Sequence, residues 1–494
     1  MATDNNQSAQ QTDKVSKIAP VENAQTGHNV WQEAYQSTPA TGPIGSLASS
    51  VEKFVARTDK PCHPSPSYLK FIDIALSESY SPEAFGDRNK VRHEFDCQIS
   101  TQKDAVFYAS QVLKRSGDSH TRILSKSENQ SLANQSDPSF IGLGLEASFD
   151  ARNSTPGHEH GVAVYRTYPD SPATQAGLKI GDEILSVDSQ DVTKLSFAEA
   201  SAKLEGPVGS TAHLWVDRNG EKIQIDAVRK FYNSPSVSDV SLPDNLAYIC
   251  IEDFRNAHLA DQLRDALLRH KDAKGFIIDL RGNGGGNVDL ANLALSEVMK
   301  DGVIMKVRER NVNDTDQVSY LSGSYELTPK GIVLTEKSEN DNNTFKIGNT
   351  DQVVTFDNDP ESIKEVKSRM QNLVGDRPVV VLTDGGTASA AEIFTGAERE
   401  TGKARTNGTT TFGKGIGGLY TSEQLPLDSG EIVTNMRWFT PSGFWAGDAG
   451  QHRYGLKPDI ESVNPYGAIP LTAADVQLKS AEADLKNTLR KRNG

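Results

Sequence analysis

The chain has 494 residues, of which 36% are hydrophobic and 24% are charged, a composition typical of an ordinary globular protein. No apolar run reaches the roughly 18 residues that a membrane-spanning helix needs. The net charge of -14 argues against nucleic acid or an anionic membrane surface as the main partner. A chain of this length is expected to hold about two to four domains.

The cysteine content limits which metal sites and disulfides the chain can form. Cys62, Cys97 and Cys250 are too few and too scattered for a zinc site or a disulfide scaffold. One bridge between Cys62 and Cys97 is left open, and it would require an oxidising compartment.

The first 127 residues are predicted to hold a polar tail and a small helical region. Residues 1–43 are rich in Gln, Asn, Thr and Ser and have no hydrophobic period, so we expect a flexible tail. They show no secretory signal, but a removed signal would leave the same sequence, so the compartment stays open. Residues 44–127 have apolar side chains at helical spacing, as in Tyr68 to Leu76 and Asp104 to Leu113.

Residues 128–230 change to short strands separated by turns, and they are predicted to form a compact β module. Asn219-Gly220 is typical of a tight hairpin between the last two strands. The strand candidates are Phe140 to Leu145, Val162 to Tyr165, Glu183 to Val187, His213 to Val216 and Lys222 to Val228.

Residues 231–470 alternate apolar strands with helices, which indicates an α/β core with largely parallel strands. A polar stretch at 309–375 interrupts this pattern and is predicted to be an insertion with its own hairpins. Residues 471–494 are predicted to form an amphipathic helix capped by Thr472. The core is predicted to contain strands Ala247 to Ile251, Phe276 to Leu280 and Val379 to Leu382, and helices His258 to His270, Val288 to Met299 and from Ala390 onward.

Glycine-rich turns follow strands of this core, at the sheet edge where α/β proteins carry their sites. In VVVLTDGGTASAAEIF, residues 379–394, Ser389 opens a helix beside backbone N–H groups that can stabilise an oxyanion. In IIDLRGNGGGNVDL, residues 277–290, the turn offers further N–H groups as half an oxyanion hole or an anion nest. Each segment alone also has a structural interpretation, as a capped helix or a βα turn.

The segment TTTFGKGIGG, residues 409–418, places Lys414 between glycines. With Gly408 it nearly matches a phosphate-binding loop, but Gly415 stands where Ser or Thr would hold magnesium, so a nucleotide site is the weaker interpretation. A lysine can instead act as a base when burial beside its partner keeps the amine neutral. A solvated surface lysine is the remaining alternative.

Other catalytic motifs are missing from the sequence, which contains neither G-x-S-x-G nor H-E-x-x-H. His120, in GDSHTRIL, is a further candidate base. Its place in the helical region, remote in sequence from Ser389, favours a structural role.

Joined together, these segments resemble the carboxyl-terminal processing proteases, also called tail-specific proteases. The resemblance rests on Ser389 in a small-residue run ending in Glu-Ile, on Lys414 in T-F-G-K-G, and on DLRGNGGG. It extends to RWFTPSG, GLKPDI and GDSHTRIL, and it covers residues from about 105 to 490. The fold that it implies is a multidomain α/β chain: a crotonase-like α/β protease core, an inserted β-rich PDZ domain and an N-terminal helical region.

The β module resembles the PDZ domain that this family carries. SPATQAGLKIGDEILSVDSQDV, residues 171–192, is similar to its signature segment, and Ile141, Gly142, Leu143 and Gly144 resemble its carboxylate-binding loop. An extended peptide would add to this domain as a strand, and backbone N–H groups of the loop would hold its terminal carboxylate.

The resemblance implies a serine endopeptidase that recognises the free C-terminal tails of proteins or peptides and cleaves them with a Ser/Lys dyad. Ser389 would attack the scissile carbonyl after Lys414 takes its proton, while Gly285 and Ala390 would donate N–H groups to the oxyanion. No metal, organic cofactor, nucleic acid or integral membrane segment is implied. Export to a periplasm or thylakoid-type lumen is implied by the family, and a homo-oligomer is left open. The alternative from another class is a non-catalytic PDZ adaptor that binds protein C-termini.

One position departs from the family pattern. Many members have Gln four residues after the lysine, where it orients the amine, and here that position is Gly418. Glu392, three residues after Ser389, is the candidate that could supply the missing hydrogen bond to Lys414. The third catalytic residue is therefore left open by the sequence.

Overall fold

The computed structural model describes residues 62–493 except 119, 135–138, 150–161, 169, 194, 196–199, 201–202, 234, 312–318, 329–330, 339–343, 348–371 and 466–467. The predicted tail at 1–43 and the helical pattern before residue 62 lie outside the described residues, as does much of the predicted insertion at 309–375. Within the described ranges, no helix combines the length and the apolar character needed to cross a membrane.

The N-terminal region packs helices around an aromatic centre in which Tyr68 and Phe71 are fully buried. Cys62 and Cys97 form a disulfide, so the bridge left open by the sequence is present. Its elements are α1 (Pro66–Glu78), α2 (Arg88–His93), α3 (Gln102–Leu113), β1 (Arg122–Leu124) and α4 (Lys126–Asn134).

The β module contains an antiparallel sheet and a separate two-stranded pair. Its elements are β2 (Ser139–Gly142), β3 (Leu145–Phe149), β4 (Val162–Thr167), α5 (Pro172–Ala176), β5 (Glu183–Val187), β6 (Gln190–Asp191), β7 (Thr211–Arg218), β8 (Glu221–Val228) and β9 (Lys230–Asn233). The sheet has the order β3-β4-β5-β7-β8, with β6 on β5, and β2 pairs with β9. Asn219 and Gly220 both have positive φ, as the tight turn requires, which confirms the predicted hairpin between β7 and β8.

The remaining chain forms a six-stranded sheet, most of a seven-stranded sheet, and the helices that cover them. Its elements are β10 (Val237–Leu242), β11 (Leu246–Ile251), α6 (Leu259–Arg269), β12 (Gly275–Asp279), α7 (Val288–Val298), β13 (Gly302–Asn311), β14 (Ser319–Thr328), β15 (Gly331–Ser338), β16 (Thr344–Ile347), β17 (Val379–Thr383), α8 (Ala390–Glu400), β18 (Ala404–Gly408), β19 (Ile416–Thr421), β20 (Gly430–Phe439), β21 (Ile460–Glu461) and α9 (Val476–Asn493).

The first of these sheets has the order β10-β11-β12-β17-β18-β21, in which every pair except β10-β11 is parallel. All residues of β11, β12 and β17 are buried, because α6, α7 and α8 cover one face and α9 covers the other. The predicted α/β core with largely parallel strands is confirmed.

The second sheet has the order β1-β20-β13-β14-β15-β16, with β19 also paired to β20. The hairpins predicted within 309–375 are present as β13 to β16, but they begin earlier, at Gly302. They do not stand apart from the core, because they continue a sheet that includes β20 and, from the N-terminal region, β1.

The C-terminal helix begins later than predicted and has a different cap. Leu478 donates its backbone N–H to Asp475 Oδ1 (3.0 Å), so Asp475, and not Thr472, caps α9. Arg281 Nη1 holds the same carboxylate at 2.7 Å, which fixes Asp475 at the helix start. The Thr472 hydroxyl instead donates to the Ile469 carbonyl (2.8 Å).

Separate hydrophobic clusters lie within the helical region, the β module and the two faces of the parallel sheet. The domain limits drawn from the sequence stay predictions. Two elements cross them, because α4 spans residue 127 and β9 spans residue 230.

Candidate active site

The three glycine-rich segments meet at one edge of the parallel sheet. Ala388 donates its N–H to the Asn283 carbonyl (2.9 Å), which joins the segment of Ser389 to the turn after β12. Phe412 donates its N–H to the Thr387 carbonyl (2.8 Å), which joins the same segment to the loop of Lys414. Local patterns far apart in the chain therefore build one site.

The turn before Ser389 is built around the Asp384 carboxylate. Its Oδ1 accepts the N–H groups of Gly282 (2.8 Å), Gly386 (2.8 Å) and Thr387 (3.1 Å). A Cβ on Gly386 would lie 2.8 Å from the Gly282 Cα, a separation that side chains do not tolerate. Glycine at 386 is thus required for the close approach of the two turns.

Ser389 adopts an unusual backbone conformation directly before α8. Its φ of 54° and ψ of -118° lie outside the regions that residues with a Cβ commonly occupy. Such conformations cost about 1–3 kcal/mol and concentrate at functional sites. The serine is also only 7% exposed, so this strained residue is buried and does not lie in an exposed loop.

Glu392 is fully buried and connects Ser389 to the lysine loop. Its Oε2 accepts the backbone N–H of Ser389 (2.9 Å) and of Lys414 (2.8 Å). Its Oε1 accepts the Thr411 hydroxyl (2.5 Å) and the Gly413 N–H (2.8 Å). The backbone nitrogens of Ser389 and Lys414 therefore donate to the same oxygen atom. The distance between these two nitrogens cannot exceed the sum of the lengths of their two hydrogen bonds.

Two opposed effects act on the Glu392 carboxyl. Burial raises its pKa from the ordinary value, while the hydrogen bonds from Thr411, Lys414, Ser389 and Gly413 lower it. These contacts hold the backbone of the loop that carries Lys414. The predicted hydrogen bond from Glu392 to the Lys414 amine stays a prediction.

The loop of Lys414 leads into a strand. Gly415 donates its N–H to the Gly447 carbonyl (2.7 Å), and Trp445 Nε1 donates to the Gly415 carbonyl (2.8 Å). β19 begins one residue later, whereas a phosphate-binding loop opens a helix. The nucleotide-site interpretation of this segment is therefore wrong.

The two predicted oxyanion donors differ in what they contact. Ala390 is the first residue of α8, a position whose N–H has no acceptor within the helix and lies at the positive end of the dipole. The Gly285 N–H donates to Asn283 Oδ1 (2.8 Å). Gly285 would have to exchange this partner in order to bind an oxyanion.

The predicted carboxylate-binding loop of the β module lies just before β3, the terminal strand of its sheet. Ala173 donates its N–H to the Leu143 carbonyl (2.7 Å), and Gly144 has a φ of 64°. Ile141 and Gly142 belong to β2 and pair with Phe231 and Lys230 of β9. These pairs hold the backbone of the first half of the loop.

His120 lies at the site as well, although its sequence position favoured a purely structural role. Its imidazole ring is in contact with Gly418, four residues after Lys414. No sequence spacing connects residues 120 and 414. The only signal in the sequence that could have pointed to His120 is the glycine at position 418, where the resembled family has glutamine.

The chain therefore combines an α/β core, whose glycine-rich segments form one candidate site, with a small antiparallel β domain. Residues 245–462 match the model of Peptidase family S41, and residues 164–218 match a PDZ domain. Both matches agree with the family that the sequence resembles, and the multidomain fold expected from the sequence is confirmed.

Similar proteins carry names consistent with this family. "Carboxy-terminal processing protease CtpB" of Bacillus subtilis (strain 168) is 28% identical over 373 residues, which cover 73% of this chain and 63% of that protein. "Carboxy-terminal processing protease CtpA" of the same organism is 29% identical over 343 residues, covering 68% and 61%. The matched part of the chain thus spans less than two thirds of these relatives.

A solved structure has a similar fold over most of this chain. The crystal structure of a putative S41 protease from Bacteroides fragilis NCTC 9343 has a TM-score of 0.56 and 16% sequence identity. The match covers 87% of this chain and 99% of that one. At this level of identity, the likeness concerns the fold alone.

Proposed function

We propose that the chain is a serine endopeptidase that binds the free C-terminal tails of proteins through its PDZ domain and cleaves them with Ser389 and Lys414. The observation that carries the proposal is the single Glu392 oxygen that accepts the N–H groups of both residues. The strained backbone of Ser389 supports it independently. The S41 match over residues 245–462 favours a peptidase over the non-catalytic adaptor.

In the proposed reaction, the neutral Lys414 amine takes the proton of the Ser389 hydroxyl as its oxygen attacks the scissile carbonyl carbon. The Ala390 N–H donates to the oxyanion, and Gly285 adds a second donor if it releases Asn283. The protonated lysine then gives its proton to the leaving amine. A water molecule, deprotonated by the same amine, hydrolyses the acyl ester and restores the serine.

In the proposed recognition step, the substrate tail extends the PDZ sheet along β3. The proposal is supported by the place of β3 at the end of the strand order, directly after the loop of residues 141–144. Backbone N–H groups of Ile141, Gly142, Leu143 and Gly144 would hold the terminal carboxylate. Specificity would then depend on the free tail more than on the side chains at the cut.

We also propose that the protein works in an oxidising compartment, such as a periplasm or a thylakoid-type lumen. The Cys62–Cys97 disulfide supports this, because such bonds persist where thiols are not kept reduced. Loss of the disulfide from protein isolated under thiol-trapping conditions would contradict it.

The first experiment compares the parent chain with Ser389→Ala and Lys414→Arg on a protein that has a nonpolar tail. We expect cleavage by the parent and by neither variant, because the first lacks the nucleophile and the second stays charged and cannot accept a proton. Thermal unfolding of all three proteins controls for folding. Cleavage by a folded Ser389→Ala variant at the parent rate would place the nucleophile elsewhere.

The second experiment compares the same substrate with a free and with an amidated C-terminus. Amidation removes the charge that the loop of residues 141–144 is proposed to hold, so cleavage should slow. Equal rates would contradict tail recognition. Tail binding without any cleavage by the parent would instead support the adaptor alternative.

A further inference from the structure

A loop from the N-terminal region is fixed beside the lysine segment. Asp118 Oδ1 accepts the backbone N–H groups of His120 (2.8 Å) and Thr121 (2.6 Å). The loop is attached to β20 at Thr434, whose hydroxyl donates to Asp118 Oδ1 (3.1 Å) and whose N–H donates to Thr121 Oγ1 (3.1 Å). The backbone of His120 is thereby anchored at Thr434.

Thr434 is also the register partner of Gly418 in β19. β1 and β19 both pair with β20 at Glu431 and Ile432, so they lie along its opposite edges. His120, two residues before β1, therefore reaches across β20 to contact Gly418.

The His120 ring occupies the space that a side chain at position 418 would need. A Cβ on Gly418 would lie 2.8 Å from Cδ2 and 2.9 Å from Nε2 of His120. Both distances are well below the roughly 3.5 to 4.0 Å at which carbon atoms pack. The φ of Gly418 is not in the left-handed region, so glycine is required here for space and not for its conformation. The His120 ring is the nearest obstacle to a side chain, and the backbone carbonyl oxygen of Val433, 3.1 Å from the same Cβ, is the next.

We propose that His120 is a positioning residue that orients the Lys414 amine, in the place where the resembled family has a glutamine at position 418. The inference rests on the proposed function of Ser389 and Lys414. A neutral imidazole has one donor and one acceptor nitrogen, so it can hold an amine much as a side-chain amide does.

The electrostatics of the ring agree with this assignment. Burial, followed by the charges of Lys414 and Arg122, holds the pKa of His120 well below its ordinary value. The ring is therefore neutral near pH 7 and keeps an acceptor nitrogen.

The test exchanges the side chains at positions 120 and 418. His120→Ala removes the ring, and we expect kcat to fall by about tenfold or more while KM stays nearly constant, because binding surfaces are untouched. Gly418→Gln alone collides with the ring and should also lose activity. The double variant His120→Ala/Gly418→Gln lacks the ring, keeps only the Val433 carbonyl oxygen as a close neighbour at 3.1 Å, and carries an amide. It should therefore recover much of the kcat that His120→Ala loses.

A second pair separates hydrogen bonding from the filling of space. His120→Gln and His120→Leu both fill the site, but only glutamine can hold the amine, so its kcat should exceed that of the leucine variant. This pair also decides the question if His120→Ala does not fold. His93→Ala, a surface histidine change in the same region, is the control and should keep the parent kcat.

Each outcome has a defined meaning once thermal unfolding shows the variants to be folded. Parent kcat in His120→Ala, equal kcat in the glutamine and leucine variants, or a double variant no faster than His120→Ala would each overturn the inference. Cleavage that depends on Ser389 is measured first. If the parent lacks it, the proposed function fails and this inference fails with it, whereas the other outcomes leave the proposed function intact.

Discussion

Helix α8 carries a fully buried glutamate in its first turn and another near its end, and the two have opposite surroundings. Glu392 accepts four hydrogen bonds, three of them from backbone N–H groups at the active site. Glu398 lies in the same helix, and among the described residues neither of its carboxylate oxygens has a hydrogen-bond partner.

Their titration differs accordingly. Burial raises the pKa of Glu398 to about 8, opposed only by the charge of Lys403. Burial also raises the pKa of Glu392, but its four donors oppose the shift. Glu392 is thus stabilised as a buried group by hydrogen bonds that also organise the loop of Lys414. Glu398, at the other end of the helix, lacks such donors and is the neutral acid at moderate pH.

The largest expected effect comes from Glu392→Gln. Each carboxylate oxygen accepts at least one backbone N–H, so an amide nitrogen at either place faces a donor in its former partner. We expect the free energy of unfolding to fall by about 2–4 kcal/mol, since each lost hydrogen bond to a buried group costs about 1–3 kcal/mol. Peptide cleavage should fall by about tenfold to a hundredfold as the loop of Lys414 loses its anchor. Thermal unfolding and steady-state rates measure both effects.

Glu398→Gln is the matched control for that loss, because it makes the same chemical change in the same helix. It should leave kcat unchanged, since the Glu398 carboxylate forms no hydrogen bond to a segment of the site within the part of the chain that the structure describes. An equal loss of activity in both variants would show that the effect at Glu392 reflects the helix and not the hydrogen bonds.

The same Glu398 variant makes a prediction about pH. The pKa of Glu398 is about 8 in the folded chain against an ordinary 4.5, so the folded state binds the extra proton between these values. The parent should therefore lose stability as pH rises from about 4.5 to 8, and the loss should amount to a few kcal/mol at about 1.4 kcal/mol per pKa unit. Glu398→Gln should remove this part of the pH dependence and be the more stable protein above pH 8. Denaturant unfolding at several pH values measures it, and parallel curves for parent and variant would contradict the raised pKa.

Some features of this site could be predicted from the sequence, and others could not. Ser389, Lys414 and the turn at Gly285 follow strands of a recognisable pattern, so local sequence placed them near one sheet edge. The backbone hydrogen bonds of Glu392 and the contact of His120 with Gly418 depend on tertiary packing between distant segments. Capping of α9 by Asp475 was missed for the same reason, because Arg281, far away in the chain, fixes that carboxylate.

Thr411→Val removes one of the four donors to Glu392 and should have a smaller effect. The Thr411 hydroxyl donates to Glu392 Oε1 (2.5 Å) and accepts the Leu456 N–H (2.7 Å). Valine has the same shape without the hydroxyl, so we expect a loss of about 1–2 kcal/mol in stability and a fall in activity smaller than that of Glu392→Gln. Thr411→Ser keeps the hydroxyl and should stay closer to the parent in both measurements. A serine variant no better than valine would mean that packing of the methyl group, and not the hydrogen bonds, matters here.

The smallest expected effect lies in the backbone before α8. Ser389→Ala and Ser389→Gly should both be inactive, but the glycine variant should be more stable than the alanine variant by about 1 kcal/mol. The reason is that the φ of 54° at this residue strains any side chain with a Cβ; the strain of about 1–3 kcal/mol exceeds the 0.5–1 kcal/mol by which glycine is usually less favourable. At Ser110, inside α3, the same pair of substitutions should show the reverse order, because the backbone there is helical and alanine is the better helix former by about 1 kcal/mol. Thermal unfolding of the four variants measures the difference. The same order at both positions would mean that the backbone of Ser389 is not strained. The start of α8 would then have no higher conformational energy than an ordinary capped helix.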